Sequence, residues 1–135
     1  MLDHRNPDDY AMPEHYEFAQ QLLTRNFKYV NGGAFRHTFA RGKVVIKIPR
    51  NSLGITDNEV EAGAYQKWKS APTDRGLILA PCRLLPLSCL MMVKVNTNFN
   101  SNDWTKAPPW IYRIEGAQAG TYKGHWVAYD YAYDV

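Results

Sequence analysis

The 135-residue chain has the length of one ordinary domain, and its 45% apolar and 21% charged residues exclude a disordered or fibrous protein. No apolar run approaches the roughly 18 residues needed to span a bilayer, and the polar opening MLDHRNPDDY does not read as a secretion signal, so a cytoplasmic protein is expected. The net charge of +3 is modest and excludes a strongly basic nucleic-acid-coating protein.

The charge is unevenly placed. Asp3, Asp8, Asp9, Glu14 and Glu17 face only Arg5 in the first 17 residues, whereas Arg36, Arg41, Lys43, Lys47 and Arg50 follow one another with no acid between. That stretch reads either as an anion-binding surface or as the solvated face of a hairpin. Cys82 and Cys89 are expected to be reduced, buried thiols on neighbouring strands. The four histidines show no metal-ligand spacing with them.

In chain order, Pro13 opens a helix through Phe27, with Tyr16, Leu22 and Leu23 near helical spacing. The period then changes to that of strands. FKYV, AFRHTFA and KVVIKIP are strand candidates, separated by a turn at Asn31-Gly32-Gly33 and a tight connection at Arg41-Gly42. Pro49 ends the third. Thr56 or Asp57 is expected to cap a second helix, NEVEAGAYQKWK, with Val60, Ala64 and Trp68 along one face. LILAPCRLLP and SCLMMVKV read as two further strands. Residues 96–110 have loop composition, and the remainder reads as a hairpin turning at Lys123-Gly124. The expected fold is α+β: an antiparallel sheet of about five strands with one packed helix, an N-terminal helix and a C-terminal hairpin. One domain is expected, divided into a helical extension (1–27), a core (28–95), a loop (96–110) and the hairpin (111–135).

Read singly, the candidate motifs are ordinary. Gly32-Gly33 suits a hairpin turn, Lys47 suits an edge strand, and Met91 and Met92 suit core gaps. Their order is more informative. Asn31-Gly32-Gly33-Ala34-Phe35, then Val45-Ile46-Lys47-Ile48, then Asn58 to Trp68 with Glu61, then two strands, then Val127-Ala128-Tyr129-Asp130-Tyr131-Ala132, resembles the small lobe and metal-binding strand pair of a protein-kinase-like domain. The nearest style is that of short kinase-like proteins of tailed phages. The resemblance implies that Gly32 and Gly33 approach phosphate, that Lys47 pairs with Glu61, that Gln118 and Asp130 face a magnesium ion, and that ATP would be the nucleotide.

The same resemblance shows departures. Arg113 stands where the catalytic Asp is expected, with Glu115 the nearest substitute. No His-Arg-Asp motif occurs, and Ala132 replaces a glycine. Five residues follow Asp130, too few for an activation segment. The expectation is therefore a catalytically inactive module with no obligatory cofactor, which binds a protein, a host protein in the phage setting. Trp104, Trp110, Tyr112, Trp126, Tyr131 and Tyr133 are its expected contact surface. A minimal ATP-dependent phosphotransferase using Lys47, Glu61 and Asp130 is the first alternative, and a nucleic-acid binder using the basic stretch is the second.

Overall fold

The computed structural model describes residues 4–135, with only the backbone of Glu115. Asp3 and any substitute role of the Glu115 carboxylate lie outside the described residues. The fold is α+β. Helix α1 spans Pro13–Thr24, with Pro13 at its first turn. Strands β1 (Lys28–Gly32), β2 (Arg36–Arg41) and β3 (Val44–Pro49) follow as a meander. Helix α2 (Ser52–Trp68) leads to β4 (Cys82–Leu84) and β5 (Leu90–Val93). The five strands form one antiparallel sheet in the order β1-β2-β3-β5-β4. A short helix α3 (Ser101–Thr105) precedes a separate hairpin of β6 (Ala119–Tyr122) and β7 (His125–Ala128). No helix among the described residues is long and apolar enough to cross a membrane.

Alternation along the strands divides the sheet into two faces. Ile46 lies opposite Phe39 and Met91, whereas Lys47 lies opposite Thr38 and Leu90. Phe39, Ile46 and Ile48 pack with Tyr10, Ala19 and Leu22, so α1 and the segment before it cover the first face. The second face meets α2 and the C-terminal hairpin. Its larger core joins Leu90 and Met92 to Leu79, Ile111, Val127 and Tyr131. The hairpin is stitched to the chain before β4: Ala80 N donates to Ala128 O and Ala128 N to Ile78 O, both at 2.8 Å. Its turn has Lys123 at φ 50° and Gly124 at φ 80°, the left-handed pair that joins two strands with matching twist.

The structure corrects several sequence expectations. Helix α2 starts five residues before Asp57, and its cap is Asn51, whose Oδ1 accepts from Gly54 N at 3.1 Å. Thr56 and Asp57 lie inside the helix. Its buried residues are Gly54, Asp57, Asn58, Glu61 and Ala62, while Val60 is exposed. The inward face is thus largely polar; of Val60, Ala64 and Trp68, the first is exposed and the other two are half-buried against the larger core. Residues 77–80 bond to β7 rather than extending β4. The stretch 96–110 contains α3, closed by a reciprocal cap between Asn100 and Asp103. Strand β1 runs through Asn31 and Gly32, so the connection to β2 begins only at Gly33. The two cysteines are buried and free, as expected.

Candidate functional site

A buried charged cluster sits where β2, β3, α2 and the segment after β7 converge. Lys47 projects from the centre of β3 towards α2, and its Nζ donates to Glu61 Oε1 at 3.1 Å. It also donates to Tyr129 O at 2.7 Å. Glu61 has no solvent exposure. Beyond Lys47 it accepts from Arg36 Nη1 at 2.9 Å and Nη2 at 3.2 Å, and from the backbone N–H groups of Tyr131 (3.1 Å) and Ala132 (3.2 Å). Burial alone would raise the Glu61 carboxyl, but Lys47 and Arg36 outweigh it and hold the group below the usual range. Burial lowers Lys47 despite its pairing with Glu61. Desolvation also works against Arg36, but Glu61 and Asp130 more than offset it and the guanidinium is held above its ordinary value.

Arg36 is the hub that sequence reasoning missed. Besides Glu61, it donates to Asn58 Oδ1 at 3.1 Å and to Asp130 Oδ1 at 2.7 Å. Asn58 in turn donates to Lys47 O and Ser88 O, tying α2 to β3 and to the turn before β5. The available signal was strand alternation: Thr38 lies opposite Lys47, so Arg36, two residues away, shares the lysine's face. Arg36, Lys47 and Arg50 are all buried. Arg50 pairs with Asp9 at 2.8 Å and donates to Gly33 O. The basic stretch is therefore not one solvated face, because three of its five cations are consumed inside the fold.

Beside the cluster lies a cleft of about 620 Å³ between the second sheet face and the hairpin. It brings together Gly33, Lys47, Gln118 and Asp130 from the expected site. Glu61 lies beneath it. Gly32 closes β1, where a Cβ would meet the Tyr29 hydroxyl at 2.2 Å, and it does not line the cleft. Arg113 is exposed and also outside the lining, its carbonyl accepting from Arg75 at 3.0 Å.

The arrangement at Asp130 works against a divalent metal at one of its two carboxylate oxygens. A carboxylate ligand needs a free lone pair facing the ion, and the guanidinium of Arg36 already occupies one Asp130 oxygen with its own positive charge beside it. Among the described residues, no three His, Cys, Asp or Glu side chains gather as a metal site.

The expected aromatic contact surface divides in three. Tyr112 is 71% exposed and Tyr133 58%. Trp110 and Tyr131 are buried and cannot serve as surface contacts. Tyr131 lies beneath the sheet, donating its hydroxyl to Ala80 O at 3.0 Å and lying 3.2 Å from Cys82 Sγ, while Trp110 packs in the same core. Trp104 and Trp126 are half-buried. They form an aromatic triad with Phe99, whose ring centroid lies 4.6 Å from that of Trp126. These rings fill the space between α3 and the hairpin.

No family model, curated protein or solved structure matches the chain.

Proposed function

We propose that this chain is a catalytically inactive, kinase-like module that acts by binding another protein, a host protein if the phage resemblance holds. One observation carries the first half of this reading: the Arg36 guanidinium bonds both Glu61 and Asp130. Phosphoryl transfer of the kinase type depends on a carboxylate-held metal and on a lysine that pairs with the helix glutamate while it meets phosphate. Here the carboxylate meets an arginine, and Lys47 donates to Tyr129 O as well as to Glu61. The position expected to orient a nucleophile carries Arg113, which accepts no proton. Tyr112 and Tyr133 supply exposed, rigid, amphipathic contact area of the kind enriched at interface anchors.

The purified chain, given magnesium and labelled ATP, is expected to phosphorylate neither itself nor generic substrates above background. If it does transfer phosphate, and Lys47→Ala with Asp130→Asn abolishes the transfer, the module is an enzyme and the reading fails. The binding half is tested by affinity capture from the relevant cell. Tyr112→Ala and Tyr133→Ala should each reduce recovery of a partner that Asp130→Asn, a change at a part-exposed carboxylate, leaves unchanged.

The nucleotide-dependent alternative keeps one observation in its favour. The cleft of about 620 Å³ lies within the range of roughly 300–1,000 Å³ typical of small-molecule sites, and it gathers Lys47, Gln118 and Asp130. The same labelled-ATP experiment decides it. Nucleic-acid binding loses its main support, since the basic stretch is largely internal.

A further inference from the structure

The charge around the cleft argues against the ligand that its outline suggests. Of the residues that line it, Arg36, Lys47 and Lys94 are cationic and Asp57, Asp130 and Asp134 are acidic. The buried Glu61 adds a further negative charge beneath them, and Arg75, 3.4 Å from Asp134, adds a positive one, so the charges balance. The two interior cations are also committed. Arg36 makes four bonds to Asn58, Glu61 and Asp130 between 2.7 and 3.2 Å, and Lys47 makes two. A phosphate group would find no surplus positive charge: the exposed Lys94 is the one lining cation outside these bonds, and reaching the other two would mean breaking them. A divalent ion at Asp130 would have to sit beside the Arg36 guanidinium or displace it. Loss of the Lys47 proton would turn the balance negative.

What the cleft does offer is a flat, uncharged wall. Ala40 pairs with Val45, and Val45 with Met92, so the three form a cross-strand row on one sheet face. Val30 and Tyr129 also line the cleft, and Thr38 and Gln118 contribute uncharged polar groups. A row of small and aliphatic side chains across a pleated sheet accommodates a planar ring, and hydroxyl and amide groups orient it without a net charge.

We propose that the cleft binds an uncharged, flat ring compound of nucleoside size, without a metal ion, and that Arg36 is the resident cation that excludes the metal. This goes beyond the protein-binding reading and does not rest on it.

The test is a methyl-detected NMR titration of the whole chain, following Val45 and Met92, with matched pairs of neutral and phosphorylated probes: adenosine and AMP, guanosine and GMP, uridine and UMP, riboflavin and FMN. Each is titrated with and without magnesium. At least one neutral member is expected to shift these methyl signals. Its phosphate should bind no more tightly and up to about tenfold more weakly, the scale of one charge repulsion at a protein surface. Magnesium should leave each affinity unchanged. The proposal is overturned if no neutral member perturbs Val45 or Met92, if a phosphate binds more tightly than its parent, or if magnesium tightens any member.

Manganese supplies a second readout, through paramagnetic broadening at Tyr129 and Asp130. The wild-type chain should show none, and Arg36→Met should acquire it. Broadening in the wild type, or a folded Arg36→Met without it, overturns the role given to Arg36. Should Arg36→Met fail to fold, the wild-type measurements decide alone.

Discussion

Replacing Glu61 by Ala should be among the most damaging single changes in the chain. The side chain is fully buried and accepts from two cations and two backbone N–H groups. Removing one partner of a buried ion pair typically costs about 3–5 kcal/mol, because the remaining charge stays desolvated. Each buried N–H left without an acceptor adds about 1–3 kcal/mol unless water enters. A combined loss of about 5 kcal/mol is expected, against a total stability of roughly 5–15 kcal/mol for a domain. Urea unfolding followed by tryptophan fluorescence reads this directly. With a slope of about 1–3 kcal/mol per molar urea, the midpoint should fall by roughly 2 M or more, or the variant should not fold at all. Glu61→Gln keeps the volume and an acceptor for the N–H groups but loses the charge. Combining it with Lys47→Met should therefore restore part of the loss, because the lysine charge left unpaired is then gone. A Glu61→Ala midpoint within about 0.5 M of wild type would refute the reasoning, since the ion network would then contribute almost nothing.

Gly54→Ala should destabilise by about 2 kcal/mol or more, read as a lowered thermal midpoint, because its Cβ would lie 2.1 Å from the carbonyl oxygen of Phe35. Burial pushes the Cys82 thiol up to about 11 and the Cys89 thiol up to about 12. At about pH 8, iodoacetamide should therefore leave both unmodified in the native chain and alkylate both in urea, and mass spectrometry that finds rapid native labelling would contradict this. Burial holds the His37 imidazole below its ordinary value of 6.5. Its ring meets Asp9 O at 2.9 Å through Nε2 and the Tyr29 hydroxyl at 2.9 Å through Nδ1, contacts that a neutral ring can satisfy as one donor and one acceptor. The unfolded chain takes up the proton first as pH falls, so His37 costs no stability above 6.5 and an increasing amount below it, down to its depressed folded value. Unfolding measured against pH should show a shallower acid slope for His37→Phe than for wild type, and parallel slopes would exclude the assignment.

The parts of the fold that were legible in the sequence are those governed by repeat period. The change from helical to strand spacing at residue 28, the Lys123-Gly124 turn and the Pro13 helix start all emerge from local chemistry. The Lys47–Glu61 pair was legible only through the kinase-like resemblance, which singled out Glu61; read alone, Lys47 suited a solvated edge strand as well as a buried pair. Arg36 was not, because nothing near it in sequence distinguishes an inward arginine from a solvated one until the β2–β3 register is known. Helix α2 was misread for a related reason. Hydrophobic periodicity finds the buried side of a helix only where that side is apolar, and here Asp57, Asn58 and Glu61 take that position. Trp110 and Tyr131 were expected at the surface because aromatic residues serve both cores and interfaces, and composition does not separate the two.

The bond between Arg36 and Asp130 joins residues 94 positions apart, and those from Glu61 to Tyr131 and Ala132 span 70 and 71. Closing such spans costs chain entropy before any contact offsets it. The meander of β1, β2 and β3 involves only neighbours in sequence, so it can assemble while the arginine, the lysine and the glutamate are still hydrated. Their dehydration waits for the strand pair from the far end of the chain. On this topology the expulsion of water from the polar core is expected late in folding, and its return early in unfolding. Changes at Asp130 belong to that late step, and they act on how fast the native state is lost rather than on how fast it is reached.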